Sequence, residues 1–193
     1  MENKMEEISS QRKLEALEEN GTFIRKDGKT FLQLDCENAK ELSMKWGEKL
    51  YPFTKTGKKW ILELPFSTPV NYVQICVDGQ EVLSPELPIA HGYGRPYNYI
   101  ELPDEDGLFE LRDVPHGTLT QEFYKSKISD NWEKLILYLP PCVPSAGLPV
   151  LYLQHGFGES EISWSTTGKV NLLMDNLIAA GKIKPFAIVM GNG

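Results

Sequence analysis

From Thr22 to about residue 110, apolar and polar residues alternate with a period of two. "TFIRK" and "KTFLQL" flank Asp27-Gly28. An Asp-Gly link between alternating segments predicts a β-hairpin, because a type I′ turn needs positive φ at both central positions. "KKWILELP" places Trp60, Leu62 and Leu64 on one face of a strand, and "NYVQICV" runs into a second such link, Asp78-Gly79, before "QEVLSP". Pro65, Pro69, Pro85, Pro88 and Pro96 punctuate the region. Short strands with turn chemistry between them predict a β-sandwich of immunoglobulin-like size over residues 21–112. In front of it, within residues 1–20, Met5, Ile8, Leu14 and Leu17 form a thin stripe. That stripe predicts a surface helix over residues 4–19, stopped by Asn20-Gly21.

The pattern changes over residues 113–193. "TLTQEFYKSKI" and "NWEKLILYLPP" are long strands joined through Ser129-Asp130-Asn131, a short link that implies an antiparallel pair. "VLYLQ", from Val150, is a continuous apolar run of the kind buried on both faces of a parallel sheet. Val170, Leu173, Met174, Leu177 and Ile178 then follow helical spacing, with Gly181 placed to end the helix. "FAIVM" is a further strand, so strand, helix and strand predict a βαβ crossover and an α/β region.

Composition narrows the function classes. Apolar residues are 41% and charged residues 24%, an ordinary globular balance. A net charge of −7 excludes a sequence-independent nucleic-acid binder, which needs a basic face. No segment approaches the roughly 20 apolar residues that span a bilayer. The charged N-terminus lacks the apolar core of a secretory signal. Cys36, Cys76 and Cys142 are too few and too far apart for a disulfide framework or a zinc site. The expectation is reduced, mostly buried thiols in a cytoplasmic protein.

The candidate chemistry sits where "VLYLQ" ends, at His155-Gly156-Phe157-Gly158. Sites in open α/β sheets form at the carboxyl ends of strands. The two glycines allow a sharp turn that frees peptide N–H groups from the ladder. Such a group can hold an oxygen that becomes negative during acyl transfer.

"RDVPHGT", "KSKISDNWEKLILYLPP", "LPVLYLQHGFGESEISW" and "NLLMDNLIAAGKIKPFAIVMGNG" together resemble an esterase family of α/β-hydrolases. That family includes ferric enterochelin esterases and the feruloyl esterase modules of bacterial xylan-degrading enzymes. "GKKWILELPFSTPVNYVQICVDGQEVLSPELP" resembles the early-set, immunoglobulin-like domain that precedes many of them. The resemblance runs from about Trp60 to Gly193 and is more specific in its second half. It implies that the Phe157 N–H is one oxyanion donor, that His155, Gly156 and Gly158 support the turn, and that no metal or organic cofactor is required. It departs from the family at Gly191, where proline is usual.

A serine esterase of this kind also needs a nucleophile on G-x-S-x-G, followed in the chain by an acid and a histidine. The sequence contains no G-x-S-x-G, and Ser160 and Ser163 lie outside any such elbow. His91 and His116 precede the turn, in the wrong order for a base, and read as a loop histidine and a turn histidine. The expectation is the N-terminal portion of a carboxylic-ester hydrolase, an incomplete α/β-hydrolase domain that is inactive alone and in which Gly193 is not a natural domain end. A homo-oligomer or a complementing C-terminal fragment would then cover the "VLYLQ" edge. The substrate would be a small ester, carbohydrate-linked or free, with feruloyl, acetyl, siderophore and simple lipid esters all open.

Two other readings compete. Trp46, Tyr51, Tyr93, Tyr97 and Tyr99, with "HGYGRPYNY" as an aromatic loop, suit a carbohydrate-binding module. An inactive esterase-like scaffold is the other. "PDEDG", over residues 103–107, reads as a solvated turn and not a cation loop.

Overall fold

The structure is a computed structural model that describes residues 21–192 apart from Asp27, Glu105 and Ala146. The helix expected over residues 4–19 lies outside the described residues. The chain divides into two compact units: Met1–Ile89 with Pro96–Pro103, and Ala90–Arg95 with Asp104–Gly193.

The first unit is built on antiparallel sheets. Strands β1 (Phe23–Lys26), β2 (Lys29–Asp35), β5 (Thr54–Thr56) and β6 (Lys59–Glu63) form one sheet in the order β1-β2-β6-β5. The second sheet runs β4 (Lys49–Pro52), β3 (Leu42–Trp46), β7 (Val70–Val77), β10 (Arg95–Glu101), β9 (Ile89–Gly92), with β8 (Gln80–Val82) paired to β7. Alternation dictates which side chains meet: Leu32, Leu34 and Trp60 from the first sheet join Met44, Val73, Ile75 and Ile100 from the second in one buried cluster. β1 pairs with β2 and β7 with β8, both antiparallel, with Lys26 opposite Lys29 and Val77 opposite Gln80 across the two expected links. At the second, Asp78 and Gly79 have φ of 50° and 81°, the type I′ condition. The Asp78 carboxylate also accepts the Lys40 and Glu41 N–H groups at 2.8 and 2.9 Å. Those two bonds, Glu41's first, hold its pKa below the ordinary value.

The aromatic loop expected in "HGYGRPYNY" is instead the β9–β10 hairpin, turned at Tyr93-Gly94 with φ of 52° and 76°. Tyr99 is buried, and Tyr97 meets Tyr72 edge-on at 6.0 Å. Trp46 packs against the core beside Phe66 and Tyr51. Tyr97 and Tyr99 share the face of β10 opposite the core residue Ile100, and Tyr99 is nonetheless buried there, a placement that composition alone does not reveal.

The second unit holds the α/β region. β11 (Thr118–Lys125) and β12 (Trp132–Leu139) pair antiparallel along eight residues, β12 pairs antiparallel with β14 (Ala187–Gly191), and β14 pairs parallel with β13 (Val150–Tyr152). The sheet order is β11-β12-β14-β13. Between β13 and β14 come α1 (Ser163–Thr166) and α2 (Val170–Ala179). The crossover is the βαβ unit that the apolar periodicity predicts. Gly181, at φ 64°, ends α2, and the Lys182 N–H reaches back to the Leu177 carbonyl at 2.9 Å.

One face of this sheet is covered: Ile136, Tyr138, Ile188 and Met190 pack with Val170 and Met174 of α2. The other carries an apolar hollow of about 420 Å³ lined by Tyr124, Leu135, Tyr152, Leu153, Gln154, Val189 and Gly191. "VLYLQ" therefore departs from the expectation of burial on both faces. Val150, Leu151 and Tyr152 are 50%, 42% and 79% exposed, because β13 is the edge strand and pairs on one side only.

The thiols also differ from expectation: Cys36 and Cys76 are half-buried and Cys142 is exposed. Cys142 lies in the proline-rich connection between β12 and β13. Burial, then nearby carboxylates, pushes the Cys36 thiol up, and burial followed by Glu81 does the same at Cys76. A raised pKa leaves less thiolate at pH 8. Iodoacetamide at that pH is expected to modify Cys142 first, with Cys36 and Cys76 following slowly, as read by mass spectrometry of timed samples.

Candidate functional site

Two residues, Leu153 and Gln154, separate β13 from the turn. The ladder continues through the Leu153 N–H to the Val189 carbonyl at 2.9 Å, and the Gln154 carbonyl accepts the indole N–H of Trp164 at 2.8 Å. Trp164 thus ties α1 to the strand end. The Gly156 N–H donates to the Glu159 carboxylate at 2.9 Å, and the Glu159 N–H returns to the Gly156 carbonyl at 3.2 Å. His155 Nδ1 lies 2.8 Å from the same carbonyl. Its ring belongs to the turn's own bonding.

Two more bonds fix the turn from outside. Within the second unit, the Tyr93 N–H donates to the Phe157 carbonyl at 3.2 Å and the Gly94 N–H to the Gly158 carbonyl at 3.0 Å. The backbones meet so closely that a Cβ on Gly158 would stand 2.0 Å from the Gly94 nitrogen, and Gly158 also has φ 71°. Only glycine meets both conditions. The carbonyls of Gly156, Phe157 and Gly158 are all occupied, whereas the Phe157 N–H donates to no acceptor among the described residues. Phe157 itself is 88% exposed. A peptide donor without a partner, at the carboxyl end of a parallel strand, can bind a carbonyl oxygen as it gains negative charge.

The nearby serines do other work. The Ser160 N–H donates to Ser163 Oγ at 3.2 Å, and Ser163 is buried at the start of α1. Glu161, only 2% exposed, holds Lys134 of β12 at 2.6 Å and ties the segment after the turn to the sheet. Its second oxygen has no partner among the described residues.

The chain matches no protein-family model. A curated protein of Xylanibacter ruminicola, an endo-1,4-beta-xylanase/feruloyl esterase, is 37% identical over 139 residues. This chain is a relative of the esterases. The match takes in 68% of this chain and 19% of the esterase relative, so the chain spans about a fifth of that protein's length. The ferric enterobactin esterase of Salmonella typhimurium superposes with a TM-score of 0.58 at 8% identity, over 88% of this chain and 55% of its own. The Shigella flexneri enterobactin esterase, in the presence of enterobactin, gives 0.58 at 11%, over 88% and 54%. At those identities the likeness is one of fold.

Against that esterase fold, the histidines can be placed. His91 is exposed on β9. His116 is not the isolated turn histidine that its sequence context suggests. Its Nδ1 lies 2.9 Å from Asp175 of α2 and its Nε2 lies 3.0 Å from the Arg112 carbonyl. Asp175 is 2% exposed and also accepts the Tyr138 hydroxyl at 2.6 Å and the Gly117 N–H at 3.0 Å. Burial, then the bond to Asp175, holds the Tyr138 hydroxyl far above the usual tyrosine range, so it stays a donor. Both His116 nitrogens are engaged and the carboxylate is enclosed, which makes the cluster a structural clamp. Its sequence signal is a polar Asp175-Asn176 pair inside a mostly apolar helix. Asn176 donates to the Leu108 and Glu110 carbonyls at 2.8 and 2.9 Å.

At "PDEDG", Asp104 accepts the Leu108 N–H at 2.7 Å, an ordinary turn bond. Glu105 lies outside the described residues. No group of three or more metal-ligating side chains occurs among the described residues, and no helix among them is long and apolar enough to cross a membrane.

Gly158→Ala is expected to destabilise by about 2 kcal/mol or more, since it combines positive φ with a backbone clash. Urea denaturation checks this, with Gly191→Ala as a control because a Cβ there meets nothing within 4 Å. Asp175→Ala is expected to cost about 3–5 kcal/mol by the same measurement, since it strands a buried hydroxyl and a peptide donor.

Proposed function

We propose that this chain supplies the oxyanion-binding portion of a serine carboxylic-ester hydrolase. In this reading residues 21–112 are an immunoglobulin-like, early-set domain and residues 113–193 are part of an α/β-hydrolase domain. The observation that carries it is the partnerless Phe157 N–H, held on a turn fixed from both sides at the end of a parallel strand. In acyl transfer, a serine oxygen attacks the ester carbonyl, whose oxygen takes the negative charge. The Phe157 N–H donates to that oxygen. One such donor lowers the barrier by about 2.7–4 kcal/mol. His155, Gly156 and Gly158 shape the turn and take no proton in the reaction. No metal or cofactor enters this chemistry.

The names of the relatives support carboxylic esters of the feruloyl or enterobactin type as substrates. The nucleophile of such enzymes sits on G-x-S-x-G, which these 193 residues do not contain. The chain by itself is therefore expected to show no saturable hydrolysis of p-nitrophenyl acetate. Turnover by the purified chain would mean that another side chain is the nucleophile. Acetate, a carboxylate mimic of the oxyanion, is expected to shift the Phe157 amide proton downfield in a 15N-edited NMR titration. An unmoved Phe157 amide would remove the reading's central donor.

A further inference from the structure

The first peptide donor of the turn is already taken by an anion of the chain itself. The Glu159 carboxylate accepts the Gly156 N–H at 2.9 Å, and the Glu159 N–H returns to the Gly156 carbonyl at 3.2 Å. The carboxylate also lies over the bare Cα of Gly156: a Cβ there would stand 3.2 Å from Oε2, 3.4 Å from Cδ and 3.8 Å from Oε1. Glycine leaves the room that the carboxylate occupies, and the two bonds hold it on the turn. The next donors along the chain, the Phe157 and Gly158 N–H groups, have no acceptor among the described residues. A fixed negative charge therefore sits one residue before an open donor. Glu159 is half-buried, so water and salt screen that charge only in part.

We infer that Glu159 is a positioning and specificity-determining residue of the turn. Its carboxylate clasps Gly156 and keeps the Phe157 N–H open, and its charge makes that donor favour a neutral ester carbonyl over a carboxylate. This inference rests on the ester-hydrolase reading and adds the charge preference of its site. Hydrolysis puts water across the acyl–oxygen bond of the ester. The alcohol leaves with one proton, and the acid, with an ordinary pKa of about 4, loses its own to become a carboxylate. The substrate thus arrives neutral and the product is an anion. Two like charges about 4 Å apart in water weaken binding roughly fivefold. The product is repelled and the ester is not. The same repulsion reaches the transition-state oxygen, so easier product release comes with weaker stabilisation of that charge.

The test is amide exchange of the 193-residue chain, read by 15N-edited NMR at mildly alkaline pH. Hydroxide-catalysed exchange passes through a peptide anion, so its rate reports the potential at each donor. Glu159→Gln keeps an acceptor oxygen for Gly156 and removes the charge. It is expected to leave the Gly156 amide protected and to speed Phe157 exchange roughly threefold to tenfold at about 10 mM salt. The gain is expected to shrink at about 1 M salt, where charges act over only about 3 Å. Glu159→Ala is expected to expose the Gly156 amide as well. Acetate is expected to bind Glu159→Gln more tightly than wild type by a similar factor, with acetamide, its uncharged isostere, unchanged. Equal Phe157 exchange in wild type and Glu159→Gln, or a difference that salt leaves untouched, would overturn the charge role. A Gly156 amide equally protected in Glu159→Ala would overturn the clasp. The acetate arm separates this inference from the reading beneath it. A Phe157 amide that ignores acetate in every variant sinks the oxyanion donor, whereas an equal acetate response with and without the Glu159 charge sinks the role of Glu159 alone.

Discussion

A carboxylate almost wholly removed from water, Asp175, sets the geometry on which the second unit depends. It accepts from Tyr138 of β12, from the Gly117 N–H just before β11, and faces His116. Burying a charge is costly unless hydrogen bonds replace its water. Here three groups from two parts of the chain supply them, and they fix α2 in place over the sheet. With α2 fixed, the crossover from β13 to β14 has little freedom, and the turn after β13 inherits that rigidity. Asn176, the next residue, extends the clamp to residues 108–110.

A second constraint then acts on the turn. Its carbonyls are all spoken for by Tyr93, Gly94, Glu159 and His155, while the Phe157 N–H, like that of Gly158, has no acceptor among the described residues. A donor that is rigid and unsatisfied stabilises developing charge better than a mobile one, since no reorganisation accompanies the reaction. Rigidity on one side and an open donor on the other are consequences of the same close approach of two backbones.

The four-stranded sheet is unequal in its two faces. The α2 face is packed, while the opposite face holds an apolar hollow and β13 runs along an edge with exposed side chains. Exposed apolar edges invite pairing with further strands. The turn stands at the end of this edge strand, so the candidate chemistry and the least covered part of the unit are neighbours.

The sequence carried the local rules. Two Asp-Gly links marked hairpins, because few residues accept consecutive positive φ angles. Helical spacing marked α2, and glycines around Phe157 marked a turn freed from the ladder. Each signal depends on residues adjacent in the chain. What the sequence could not decide depends on residues far apart. Tyr97 and Tyr99 looked like loop aromatics until strand pairing set them side by side on one face of β10, and "VLYLQ" looked doubly buried until its place in the sheet order made it an edge. The pairing of His116 with Asp175, 59 positions away, and the meeting of Gly94 with Gly158 have no local signature. Periodicity records which face a residue prefers, but only the assembled sheet decides what stands opposite that face.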